Sequence, residues 1–172
     1  MKTLKYSCRL RCREATLRVV SCLIIAALGA GCARKPPYEG KSIADLEKML
    51  HSSDPAVQTQ GAFGLSQRGP EAISAVPALT ELLKSPDALV RQNAALALGA
   101  VGPDAKSAVP ELINTLGDSE WAVRRQAAMA LGQIGPAAAD AVPALQKLQN
   151  DSNNLVRKAG AEALAKIKSP SK

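Results

Sequence analysis

The chain has 172 residues, enough for one domain with a sizeable core, and a formal charge of +7. Tyr6, Tyr38, Phe63 and Trp121 are its only aromatic residues, so a core must be built from Ala, Leu, Val and Ile, which suits thin layers of close-packed helices. The charge invites a nucleic-acid reading, but its distribution argues against one: residues 1–31 hold six Lys and Arg against Glu14, and the remainder is close to balanced, with sixteen Lys and Arg facing fourteen Asp and Glu.

Residues 1–18 are basic, and the next stretch, VVSCLIIAALGAGC from Val19 to Cys32, is apolar. That run has about the length of a secretory h-region and is short for a membrane-spanning helix. The sequence therefore predicts an export signal over residues 1–31. The end of the run, LGAGC, resembles a bacterial lipoprotein lipobox. The resemblance implies that Cys32 is the site of lipid attachment, that the Gly31–Cys32 bond is cut, and that fatty acyl chains such as palmitate join the new N-terminus. The family prefers Leu three residues before the cysteine, where this chain has Gly29, with Leu28 one place further back. An uncleaved single-span anchor and a plain secretory signal are the alternatives.

The cysteines are Cys8, Cys12, Cys22 and Cys32, so a domain after Cys32 contains no disulfide. No second Cys or His cluster completes a metal site with CRLRC at Cys8–Cys12. Residues 32–41 read as a lipidated N-terminus and a short tether, in which Pro36-Pro37 favours extended backbone. Such a tether reaches at most roughly 30 Å and would hold the domain close to a bilayer surface. Ala33, rather than Asp, follows Cys32; in the lipoprotein resemblance this points to the periplasmic side of the outer membrane.

From residue 42 the chain repeats. Val57, Val90, Val123 and Val156 are spaced by 33 residues, and so are Leu65, Leu98, Leu131 and Leu164. Pro77, Pro110 and Pro143 keep the step, as do Gly69-Pro70, Gly102-Pro103 and Gly135-Pro136. These columns define units of about 42–69, 70–102, 103–135 and 136–168, with a disordered tail over 169–172. Each unit predicts two helices. In the second unit the first lies near Pro77–Lys84, with Pro in its first turn, and the second near Asp87–Val101. Asp54, Asp87, Glu120 and Asn153 share the position that opens the second helix, suited to capping and to the helix dipole; Gly-Pro closes it in three units. On a helical wheel Val90, Ala94, Ala97, Leu98 and Val101 fall within about 100°. A stripe of such small residues lets neighbouring helices approach closely, and one helix pair cannot cover it. Stacked pairs can, which predicts an all-α, right-handed solenoid of four antiparallel pairs.

The pattern D-x-x-V-R-x-x-A-A-x-A-L-G-x-[IV]-G-P followed by AVPAL resembles the HEAT repeat, and most closely the short bacterial form named after phycobilisome lyases. The TPLH of ankyrin repeats and the aromatic positions of tetratricopeptide repeats are missing. Arg91, Arg124 and Arg157 follow the repeated Val. In HEAT repeats such an Arg pairs with an acid of the same or a neighbouring repeat, which implies a structural ladder with Asp87 and Glu120. Gln58 holds the column in the first unit.

Nothing in the sequence assembles a catalytic set. His51 is the only histidine and reads as a residue at a helix C-terminus. Deoxyhypusine hydroxylase shares HEAT repeats but holds iron through several His-Glu pairs, which this chain lacks. Nothing marks a tetrapyrrole pocket of the kind a bilin lyase needs, so a lyase-related role is remote. The reading is a non-enzymatic protein without a cofactor: a membrane-tethered module that binds a protein or peptide and does not bind nucleic acid. The second helices of a solenoid usually line its concave face. There, opposite the packed stripe, Phe63, Leu96 and Met129 share a column, bordered by Gln60, Asn93 and Gln126, and are expected to form an exposed line. Burial between crowded neighbours is the alternative for this column. Trp121 reads either as an exposed anchor or as cover for the edge of the preceding short helix. The charged residues of the last helix, Arg157, Lys158, Glu162, Lys166 and Lys168, resemble a solvated cap and predict a monomer. A structural subunit that extends a larger envelope assembly is the competing role.

Overall fold

A computed structural model describes residues 36–169. The predicted signal and Cys32 lie outside the described residues. So do residues 33–35 of the tether and 170–172 of the tail. Pro37 opens the compact unit that contains the array.

Four helix pairs follow one another: α1 (Ile43–Leu50) and α2 (Pro55–Ser66), α3 (Val76–Leu82) and α4 (Ala88–Val101), α5 (Val109–Thr115) and α6 (Trp121–Ile134), α7 (Val142–Lys147) and α8 (Asn154–Lys168). Among the described residues there is no strand. The chain is an α-solenoid, with the pairs in the order and at the spacing that the repeat predicts.

Local chemistry sets the boundaries. The Asp54 and Asp87 carboxylates accept from backbone N–H groups in the first turns of α2 and α4, and the Asn153 amide oxygen does so for α8. Glu120 occupies the same cap position before α6 without a side-chain hydrogen bond. Gly102 and Gly135 end α4 and α6 with φ of 77° and 71°, a region that side-chain-bearing residues avoid. The link that follows is itself helical: Gly69–Ala75, Gly102–Ala108 and Gly135–Ala141 form 3-10 segments that lead into α3, α5 and α7. Ala72, Ala105 and Ala138 leave helical geometry at the kink of each segment. All three are fully buried, where a larger side chain would not fit.

The core is a continuous row of Leu, Val and Ala. Leu46, Leu79, Leu112 and Leu145 from the first helices meet Leu65, Leu98 and Leu131 from the second, all fully buried. The second helices also pack directly on one another, more extensively than the shorter first helices do; theirs is the side expected to be concave. At these crossings the approach is close enough that a Cβ added to Gly99 would lie 3.0 Å from Ala130 Cα, and one on Gly132 would lie 2.9 Å from Ala163 Cα. Part of the predicted tether belongs to this body: Pro37–Gly40 forms a turn, and the Tyr38 ring meets the Phe63 ring edge-on at 5.2 Å. Among the described residues no helix is long and apolar enough to cross a membrane.

Candidate interaction surface

Two features built by the repeat concern function: a ladder of charges across the repeat boundaries, and the face of the second helices that the stack leaves open.

In the ladder, Arg91 Nε donates to Asp118 Oδ2 at 2.7 Å and its Nη2 to Oδ1 at 2.9 Å. Its Nη1 donates to the carbonyls of Ser85 and Pro86. One repeat on, Arg124 grips Asp151 through the same two edges at 2.7 and 3.0 Å, and its Nη1 meets the carbonyls of Asp118 and Ser119. The acids are further held by the backbone N–H groups of Glu120 and Asn153. Burial pushes the Asp118 carboxyl up, but the hydrogen bonds from Arg91 and Glu120 outweigh it and hold the group below its ordinary value. The Arg124 hydrogen bond holds Asp151 low against a smaller effect of burial.

The acids are not the expected ones. Asp87 caps α4 through the N–H groups of Leu89 and Val90, and Glu120 makes no ion pair with Arg91 or Arg124. Asp118 and Asp151 lie in the turns between helices, where they face the preceding repeat, whereas residues 87 and 120 hold the cap positions of their own helices, Asp87 bonding its helix start and Glu120 making no such bond. The signal was present: 27 residues after Gln58, Arg91 and Arg124 stand Ser85, Asp118 and Asp151, so a neutral donor matches a neutral acceptor and each Arg matches an Asp. Gln58 keeps only the local half of the clamp, donating to the Ser52 carbonyl at 2.8 Å. Arg157 also keeps that half, its Nη1 donating to the carbonyls of Asp151 and Ser152 at 2.7 and 3.1 Å.

On the concave side, Phe63, Leu96 and Met129 do align on α2, α4 and α6, but all three are half-buried rather than exposed. The Gly99 and Gly132 crossings explain this: helices so close shield the side chains next to the seam. Tyr38 covers Phe63 and Met129 packs against the core. Among the bordering amides Gln60 and Asn93 are half-buried, and Asn93 donates to its own helix at the Leu89 carbonyl. Gln126 is buried, and its amide nitrogen makes no hydrogen bond among the described residues. The most accessible large apolar groups on the second helices are Leu89 at 62%, Leu155 at 43% and Trp121 at 42%, all in first turns. An open cleft of about 610 Å³ between α1 and α3 holds His51, Glu47, Ser74 and Glu81. Among the described residues no three His, Cys, Asp or Glu side chains gather into a metal-binding group.

A family model described as HEAT repeats matches residues 43–113 and 109–172. No curated protein sequence matches the chain. Among solved structures, a crystal structure of an engineered protein superposes with a TM-score of 0.66 at 30% identity, covering 74% of this chain and 62% of that one. Human deoxyhypusine hydroxylase in complex with glycerol matches at 32% identity and a TM-score of 0.59, over 77% of this chain and 45% of the enzyme. A designed armadillo repeat protein bound to a Lys-Arg repeat peptide matches at 21% identity and 0.64, over 73% and 64%, a likeness of fold. The chain thus spans less than two thirds of the length of each of these proteins.

Proposed function

We propose, from the premise that the chain belongs to the HEAT-repeat family, that it is a membrane-tethered interaction module that binds a protein or extended peptide along its concave face. The observation that carries the reading is the face itself: the row of α2, α4, α6 and α8 leaves Leu89, Trp121 and Leu155 exposed, beside half-buried Gln60, Asn93, Leu96 and Met129. Large apolar groups in such a row supply contact area without adding to the fold. The reading is non-enzymatic. The chain is similar to deoxyhypusine hydroxylase in repeat structure, but its single histidine, His51, is followed by Ser52 rather than by an acid. Lipid attachment at Cys32, an outer-membrane address and a monomeric state complete the proposal.

Site-specific photo-crosslinking in intact membranes tests the binding surface. A photoreactive residue at Leu89 is expected to give one discrete protein adduct, and one at the exposed Ile73, outside the second helices, none. Equal labelling from both positions would remove the concave face from the proposal. Cys32→Ser is expected to abolish lipid labelling and leave unprocessed precursor; normal processing of that variant would rule out Cys32 as the acceptor.

A further inference from the structure

The last helix is built like a helix with another repeat behind it. In α4 and α6 the groups that meet the following repeat are the ladder Arg, Ala95 or Ala128 one turn on, and Gly99 or Gly132 after that. The same columns of α8 hold Arg157, Ala161 and Ala165, all exposed. Ala at the third position does not preclude stacking, since Ser66 holds that column in α2 and α2 packs on α4. Nor does Lys158, whose column is Arg125 in α6, a helix that does stack.

The guanidinium gives this face its chemistry. Arg157 Nη1 is fixed on the carbonyls of Asp151 and Ser152, as the equivalent nitrogens of Arg91 and Arg124 are fixed on theirs. The pose is therefore the ladder pose. Its Nε and Nη2, the edge that grips a carboxylate in the two previous repeats, make no hydrogen bond among the described residues. A preformed bidentate edge selects a planar anion.

We propose that the outer face of α8 docks the end repeat of a partner protein, a helix pair whose inter-helix turn presents a carboxylate to Arg157. A second copy does not fit head to tail. Its leading edge offers Ser52 where the ladder needs an acid, and Tyr38 covers the Gly64 column, its Cβ 2.8 Å from where a Gly64 Cβ would stand.

The test replaces Lys168 and the residues after it by a copy of residues 135–168, so that the copied Gly135 holds the glycine column that needs a positive φ and the copied Asp151 stands opposite Arg157. Thermal unfolding is compared with and without Arg157→Ser. The expected result is a higher midpoint for the extended chain and a fall of at least about 4 °C from Arg157→Ser in that chain, against almost none in the parent. Replacing the copied Asp by Ser should reproduce the fall, with no further effect of Arg157→Ser on that background. An extended chain no more stable than its parent, or an Arg157→Ser effect equal in both, would overturn the docking face. Sedimentation of the unextended chain separates the occupants: a monomer is expected, and a dimer dissolved by Arg157→Ser would give the face to a second copy.

Discussion

Arg91 and Asp118, 27 residues apart, share two hydrogen bonds across a repeat boundary, with side-chain exposures of only 14% and 10%. A pair this shielded is costly to break on one side, because the remaining charge has no water to replace its partner. Arg91→Ala or Arg124→Ala is therefore expected to lower the unfolding free energy by about 3 kcal/mol. The double variant Arg91→Gln with Asp118→Ser copies the Gln58 and Ser85 pair of the first boundary, and should cost less than either single substitution. Denaturant titration of the parent, Arg91→Gln, Asp118→Ser and the double variant checks this; additive losses would mean that the pair is not a unit.

The same pairs set the acid limit. Both carboxyls are held below their ordinary value of 3.8 in the folded chain. A depressed folded value means that the unfolded chain binds protons first as pH falls. The stabilisation is complete above about pH 5 and is lost as pH drops through the ordinary and then the folded values. Stability is thus expected to be flat from neutrality to about pH 5 and to fall steeply below pH 4. Asp118→Ser with Asp151→Ser should flatten that fall, as read by unfolding midpoints between pH 2 and pH 7. An unchanged acid slope would show that other carboxylates control it.

The helix crossings predict an asymmetry among glycines. Gly132→Ala places a methyl group 2.9 Å from Ala163 Cα, so α8 must move away. Overpacking of this kind costs about 1–3 kcal/mol, more than the gain of up to about 1 kcal/mol from better helix propensity. Gly117→Ala meets only the Asn114 carbonyl at 3.5 Å and is expected to be close to neutral. A Gly132→Ala protein more stable than its parent would show that the helices have room to separate.

Period and chemistry made the fold legible. A 33-residue step in several columns fixes the number of helix pairs, and Asp54, Asp87 and Asn153 mark the starts of α2, α4 and α8 as expected. Other features were not legible, for physical reasons. The 3-10 segments depend on φ/ψ at Ala72, Ala105 and Ala138, and alanine fits either conformation. Tyr38 sits beside two prolines and reads as linker until the Gly64 column leaves it a surface to cover. The ladder acids were misassigned because Asp87 and Glu120 are nearer in sequence to Arg91 and Arg124, whereas their true partners face them across a boundary. The exposure of the Phe63 column depends on helix separation, which Gly99 and Gly132 set.

That separation bears on how the concave face is tested. Phe63, Leu96 and Met129 share a column, but they are not equivalent. Phe63 is locked against Tyr38 and Met129 packs on the core, so Phe63→Ser and Met129→Ser remove packing as well as surface, and each is expected to cost about 1–3 kcal/mol of stability. Leu96 is half-buried without belonging to the central cluster, and Leu96→Ser should cost under about 1 kcal/mol. Leu89→Ser, at a residue 62% exposed, should fall within about 0.5 kcal/mol of the parent. The informative variant is therefore Leu89→Ser with Leu96→Ser, which removes apolar contact area worth about 1.5–3 kcal/mol per residue when fully buried by a partner while leaving the array folded. Loss of the adduct captured from the concave face, with an unfolding midpoint within a few degrees of the parent, is the expected outcome. Full retention of the adduct by this folded double variant would mean that α4 makes no energetic contact with the partner, and the concave reading would fail at its centre.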